Sequence, residues 1–264
     1  MAKYIAQPLP EHVSHSQVST FLDCGEKYRY SYIEGLPRPS TPSLIVGQTY
    51  HRALETAFQK RINGVTVNDE DIKRITAIAW DDVIVEAGNS KGGIDWQDVE
   101  ATVLYSQAMA LVALYWKELG CEIQPLLIEE NFRVDVPGVP VPFVGIIDLI
   151  TADGAVIDHK TAGRAWPASR VEKDLQATAY LYALWKMDGE LRKSLRFDVA
   201  IKTAKPKIVT YEAHRTMDQL LWYERLLQRV WAAISARVFV PNPTGWLCSP
   251  KFCSFWTQCT EGER

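Results

Sequence analysis

At 264 residues, with 47% hydrophobic and 23% charged residues, the chain has the balance of an ordinary globular protein and room for one large domain or two small ones. No apolar run is long enough to span a bilayer, and the opening MAKYIAQPLPEHVSHS lacks the apolar stretch of a secretory leader, so a cytoplasmic protein with no membrane association is expected. The formal net charge of −3 taken alone argues against a nucleic-acid partner, but it does not exclude one, because a local basic stripe and bound cations can offset an acidic site.

In chain order, Ser14 to about Ile33 reads as a helix, with Ser14 as its cap and Gln17 as the capping-box partner. Gly35, Pro37 and Pro39 follow it. A second helix is expected over about Ser43–Arg61, then helical stretches over Asp69–Ala87 and Trp96–Leu119, broken at Gly88–Gly93. At Pro125 the period changes. Leu126–Val136, Val141–Ile150 and Ala155–Lys160 read as strands, Val171–Met187 as a helix, Phe197–Thr203 and Lys207–Ala213 as strands, and Met217–Arg237 as a helix. The tail from Val240 has no clear period. Lys186 to Lys207 is rich in lysine and arginine, which suits either a nucleic-acid stripe or a solvated face.

The segment from Gly145 to Lys160 carries the most chemistry. Asp158 and Lys160 lie two apart on a strand, so both point to one face. The loop Ala152-Asp153-Gly154 suits a tight hairpin turn with glycine last. Thr151 would then oppose Ala155, and Asp148 would oppose Asp158, with Cβ atoms ~5 Å apart. Two carboxylates held that close repel each other unless a divalent cation lies between them. An oxygen-rich site selects a hard cation such as Mg²⁺ or Mn²⁺, which suits phosphodiester hydrolysis, with Lys160 near the attacking water. The plainer alternative is a hairpin with acids at its solvent end.

Asp158-His159-Lys160, preceded by Gly145-Ile146-Ile147-Asp148, resembles the core of the PD-(D/E)XK nucleases, specifically the RecB-like and AddB-like group that includes CRISPR-associated adaptation exonucleases. Further elements fall in the same order. Gly47-Gln48-Thr49-Tyr50-His51 resembles the group's G-x-x-x-H helix, which implies His51 as a metal ligand. Glu129 resembles an acidic position at the head of the first strand. Gln176-Ala177-Thr178-Ala179-Tyr180 resembles its Q-x-x-x-Y element; residues i and i+4 share a helix face, so Gln176 and Tyr180 would orient a phosphate or a catalytic group. Ser14–Tyr32 resembles the leading helix of cluster-bearing members, with Gly25 where proline is usual.

The cysteines extend the resemblance. Three of the five, Cys248, Cys253 and Cys259, crowd the tail, which in a reducing compartment suggests metal ligands over disulfides. The likeness to cluster-bearing members implies that Cys24 joins them around a [4Fe–4S] cluster; four thiolates equally suit structural Zn²⁺. The aromatic residues nearby, Trp246, Phe252, Phe255 and Trp256, either pack around that site or stack on bases. Cys121 has no place in the pattern and reads as a small buried hydrophobe.

The resemblance implies an α/β chain with a restriction-endonuclease-like mixed sheet flanked by helices. It implies one nuclease domain over 1–264: leading helices at 14–61, a helical insertion at 62–122, a catalytic core at 123–213, and a terminal helix with the cysteine tail at 214–264. The site would comprise Asp148, Asp158, Lys160, Glu129, Gln176 and Tyr180, with metal at His51, Asp148, Asp158 and the main-chain carbonyl of His159. The substrate would be DNA, single-stranded or with free ends. No phosphate-cradling GxxxxGK[ST] is present, so a helicase or recombination partner would be a separate chain. The alternatives are an endonuclease, a binding adaptor that keeps the fold without activity, and a zinc-stapled structural protein; the adaptor would be expected to lack Asp148, Asp158 or Lys160, and all three are present.

Overall fold

The computed structural model describes residues 7–261. A two-residue strand, β1 (Val13–Ser14), leads into α1 (His15–Asp23), and Ser14 caps that helix by accepting from Gln17 N. The return half of the expected capping box is replaced: Gln17 accepts from the Tyr28 hydroxyl at 3.2 Å. The single helix expected over Ser14–Ile33 is broken at Cys24, which is extended at φ −169° and ψ 119°. Helix resumes as α2 (Gly25–Tyr28) and a wider turn over Arg29–Ile33.

The C-terminal tail causes that break. Gly25 donates its N–H to the Val240 carbonyl at 2.9 Å, and a β-carbon on Gly25 would stand 2.6 Å from Val240 N. Proline at this position would have no N–H to donate, which accounts for glycine here. Gly25→Ala is expected to push the tail away and cost about 1–3 kcal/mol. Urea unfolding checks this; an unchanged midpoint would mean that the tail docks elsewhere in solution.

Three helices form one layer. They are α3 (Pro42–Ile62), capped by Thr41; α4 (Asp69–Asn89), opened by an Asn68–Asp71 capping box; and α5 (Ala101–Tyr115), which ends in a wider turn over Trp116–Gly120. The helix expected from Trp96 starts only at Ala101, because Gln97 and Asp98 adopt left-handed backbone at φ 50° and 59°.

The remaining elements are β2 (Pro125–Val134), β3 (Phe143–Thr151), β4 (Val156–Ala162), α6 (Ala168–Lys173), α7 (Leu175–Asp188), β5 (Ser194–Ile201), β6 (Lys207–His214), α8 (Met217–Ser235) and α9 (Trp256–Glu261). The helix expected over Val171–Met187 is interrupted at Asp174, whose carboxylate caps α7 by accepting from Gln176 N at 2.8 Å and Ala177 N at 3.3 Å.

The six strands form one mixed sheet in the order β1-β3-β4-β5-β6, with β2 also on β3. Helices α1, α7 and α8 cover one face, and α3, α4 and α5 cover the other. Strand β5 shows why both faces must be covered: Phe197, Val199 and Ile201 join one apolar cluster and Ala200 the other. This is the mixed sheet with flanking helices expected from the sequence. Among the described residues no helix is long and apolar enough to cross a membrane.

One feature of the sheet positions the site. Strand β2 runs along one edge of β3. The other edge is shared: β4 pairs only at Leu149 and Ile150, and β1 only at Phe143 and Val144. Between those pairings the strands part over residues 145–148.

Candidate metal and catalytic site

The hairpin between β3 and β4 turns as its loop chemistry requires. Gly154 is left-handed at φ 85°, Gly154 N bonds Thr151 O at 2.9 Å, and Thr151 N bonds Ala155 O at 3.0 Å. Pairing of Ile150 with Val156 and Leu149 with Ile157 continues the register that sets Asp148 against Asp158. There the ladder stops, and the Asp148 carboxylate enters the gap, where Oδ2 accepts the His159 N–H at 2.7 Å.

Alternation along β4 sorts the next three side chains. Asp158 and Lys160 face the α7 side, and Lys160 Nζ stands 2.5 Å from Asp158 Oδ2. Gln176 Nε2 donates to Asp158 Oδ1 at 2.9 Å and to the Tyr180 hydroxyl at 2.8 Å, using both amide hydrogens. The Tyr180 ring packs against Phe132, so this residue is both core and hydrogen-bond partner. His159 points the opposite way, into the α3–α5 layer.

From α3, His51 Nδ1 reaches Asp148 Oδ2 at 3.3 Å. From β2, Glu129 completes the group: His51, Glu129 and Asp148 each offer a ligand atom, and these lie within 4.8 Å of one another. Glu129 holds a left-handed backbone at φ 48°, a strained conformation for a residue with a side chain. In a strand, the N–H and C=O of one residue point to the same edge, so the His159 carbonyl faces the gap with its amide.

The electrostatics are those of an acidic pocket lacking enough positive charge. Burial and the neighbouring Asp148 push the Glu129 carboxyl up to about 7. Burial also raises Asp148 and Asp158, against the pull of Lys160. Burial lowers Lys160, but Asp158 and Asp148 outweigh it and hold its ammonium above the ordinary range. His51 falls to about 4 through burial and Lys160, so its imidazole is neutral and free to ligate.

The profile described as the PD-(D/E)XK nuclease superfamily matches residues 12–260. The chain belongs to the PD-(D/E)XK nuclease superfamily. No curated protein matches this nuclease. Its fold is similar to that of a Eubacterium rectale protein described as a candidate exonuclease, with TM-score 0.55 and 13% identity over 96% of this chain and 88% of the other. The structure of SSO0001, also 13% identical, covers 93% of this chain and 95% of its own at a TM-score of 0.38, too low to bear on the fold.

Nucleases of this superfamily generally use divalent metals, and the His51–Glu129–Asp148 group is an acidic site able to hold one. The charge excess has a measurable consequence. Glu129 is raised from its ordinary 4.5 to about 7 in the folded state, so its contribution to stability is complete below 4.5 and lost as pH rises through 7. Metal-free nuclease is expected to lose Tm between about pH 5.5 and 8, with Mn²⁺ raising Tm more at the higher pH. Thermal unfolding in EDTA and in Mn²⁺ checks this; an equal metal effect at both pH values would remove Glu129 from the metal's surroundings.

The four cysteines named from the sequence meet elsewhere. Cys24, Cys248, Cys253 and Cys259 line one cavity of about 320 Å³, together with Tyr30, Phe255 and Trp256. Phe255 is buried, whereas Trp246 and Phe252 are 75% and 50% exposed and pair edge to face. Cys121 is exposed, not buried as expected, because it follows the end of the α5 turn at the surface. In the basic stretch, Lys186, Arg192 and Arg196 each have a carboxylate partner, Glu224, Asp188 and Asp198 in turn.

Sequence reasoning missed Asp174, Tyr115, Asp198 and Arg215. Arg215 is buried and donates to Thr178 Oγ1 and to the carbonyls of Val171 and Asp174, fixing the start of α7 ahead of Gln176. Asp198 left a signal, an acid between Phe197 and Val199 in an apolar strand. Tyr115 left none, because a tyrosine in an apolar helix reads as core.

Proposed function

We propose that this nuclease hydrolyses phosphodiester bonds in DNA at free or single-stranded ends, with Mg²⁺ or Mn²⁺ held by His51, Glu129, Asp148, Asp158 and the His159 carbonyl. The observation that carries this reading is the convergence of His51, Glu129 and Asp148 within 4.8 Å beside the Asp158–Lys160 pair. The donors are oxygen-rich with one neutral imidazole, the set that hard divalent ions accept. When bound, such an ion polarises the scissile phosphate and lowers the pKa of a water.

The chain's own groups do the rest. Lys160 holds the attacking water and the negative charge that builds on the phosphoryl oxygens as the new O–P bond forms and the bond to the leaving oxygen breaks. Asp158 fixes Lys160, and Gln176, itself braced on Tyr180, fixes Asp158. Action at ends draws support from the description of the Eubacterium rectale protein as a candidate exonuclease. Recombination, repair and processing of phage DNA all supply such ends, and a helicase partner would expose them.

The likeness of Cys24, Cys248, Cys253 and Cys259 to the cysteine set of cluster-bearing nucleases supports a [4Fe–4S] cluster here, with structural zinc as the alternative that four thiolates also suit. All four cysteines line one cavity of about 320 Å³. The cluster would tie the leading helix to the tail within a single domain.

The test is degradation of end-labelled linear and closed circular single-stranded DNA, with Mg²⁺, Mn²⁺ or EDTA. Loss of the linear substrate alone, only with metal, is the expected result. Cutting of the circle would make the protein an endonuclease, and no cutting of either by metal-replete protein would overturn the enzymatic reading.

A further inference from the structure

Behind β4, on the face away from Lys160, lies a buried polar chain that the catalytic reading leaves without a task. His159 is 3% exposed and Tyr115 and Asp198 are fully buried. The Tyr115 hydroxyl stands 2.9 Å from His159 Nε2 and donates to Asp198 Oδ2 at 2.9 Å. Asp198 also accepts from Arg196 Nη2 at 2.9 Å and from Thr210 Oγ1 at 3.3 Å. Burying such a set in an apolar layer costs desolvation of each member, which the hydrogen bonds along the chain offset.

Hydrogen counting fixes the direction of the chain. The Tyr115 hydroxyl has one hydrogen, and the arginine-paired carboxylate takes it. Tyr115 then offers only lone pairs to His159, so Nε2 carries the ring hydrogen. The ring is further clamped by Phe58, stacked on it at 5.9 Å and 18°. A side chain held at both nitrogen and face holds its own main chain. At residue 159 that main chain grips the site: its N–H binds Asp148 Oδ2 at 2.7 Å, and the same oxygen lies 3.3 Å from His51 Nδ1.

We propose that His159 is a positioning residue, locked by the Arg196–Asp198–Tyr115 chain so that its peptide presents Asp148, and through it His51, to the metal in a fixed geometry. This rests on the reading of the site as a metal-dependent nuclease centre. Outer partners of this kind typically govern metal affinity by about 10–100-fold, while the reacting groups stay in place once metal is bound. Tyr115→Phe removes the hydroxyl that links the ring to Asp198 and keeps the aromatic packing.

The experiment is a Mn²⁺ titration of DNA cleavage by wild type and Tyr115→Phe. The expected result is a rise of about tenfold or more in the Mn²⁺ needed for half-maximal rate, with kcat at saturating Mn²⁺ little changed. A lowered kcat with an unchanged Mn²⁺ midpoint, or a Tm loss of equal size in EDTA and in Mn²⁺ with the midpoint unmoved, would overturn the proposal and leave the chain as core structure. If Tyr115→Phe does not fold, Arg196→Gln cuts the chain at its more exposed end and is held to the same criterion, with Arg196→Lys as the rescue. If wild type cleaves nothing, the functional reading has failed, and Mn²⁺ binding by calorimetry on the same variants still decides this inference by the same shift in affinity.

Discussion

Asp148→Asn is expected to abolish metal-dependent cleavage, lowering kcat by about a thousandfold, without lowering the stability of the metal-free protein. The amide keeps an oxygen to accept the His159 N–H, which Asp148 Oδ2 now takes at 2.7 Å. It removes a negative charge that burial already disfavours, since the Asp148 carboxyl is raised above its ordinary range by desolvation. Repulsion from Glu129 and Asp158 falls with it. The metal loses a charged ligand from the group in which His51, Glu129 and Asp148 converge. Cleavage of end-labelled DNA in Mn²⁺, paired with thermal unfolding in EDTA, separates the two effects. Activity within tenfold of wild type would show that the site lies elsewhere, whereas a large fall in the EDTA Tm would show that Asp148 holds the fold together rather than a metal.

The second large effect is expected at the cysteine cavity. A site joining residue 24 to residue 259 closes nearly the whole chain into one loop, and metal-site binding of this kind contributes on the order of 10 kcal/mol to folding. Cys24→Ser is expected to lower Tm by roughly 10 °C or more and to bleach the visible absorption of an iron–sulfur cluster. Cys24 is the choice because it is the one ligand candidate outside the tail, at the extended break between α1 and α2. Cys121→Ser, at an exposed position away from the cavity, is the control and should change neither reading. Iron and sulfide analysis of the wild type decides between cluster and zinc. A colourless protein with stoichiometric zinc would replace the cluster, and a Cys24→Ser Tm equal to wild type would remove the staple altogether.

Much of this molecule was legible one segment at a time. The hairpin at 151–155 follows from a glycine able to take φ 85° and from the two-residue period of the strands on either side. That register alone sets Asp148 against Asp158 and puts Lys160 on the same face as Asp158. Helix α7 likewise places Gln176 and Tyr180 one turn apart by its own periodicity. These are properties of consecutive residues, so sequence suffices for them.

What the sequence by itself determined, then, was the order and type of the long helices and of strands β2 to β6, the mixed α/β class, the acidic hairpin and the crowding of thiols in the tail, but not β1, α9 or the breaks at Cys24 and Asp174. Only tertiary structure decided that the leading helix breaks at Cys24, because the cause is a carbonyl at Val240, far along the chain. Tertiary structure alone brought His51 and Glu129 to Asp148, since α3 and β2 reach that side chain only once the helical layers have packed on the sheet and β2 has paired with β3. The same packing gave Tyr115 and Asp198 to His159. The physical reason is one of range. Hydrophobic period and turn chemistry act over a few residues, but the position of one buried polar group against another depends on which apolar surfaces cover which face of the sheet, and that is settled by the burial of the whole chain.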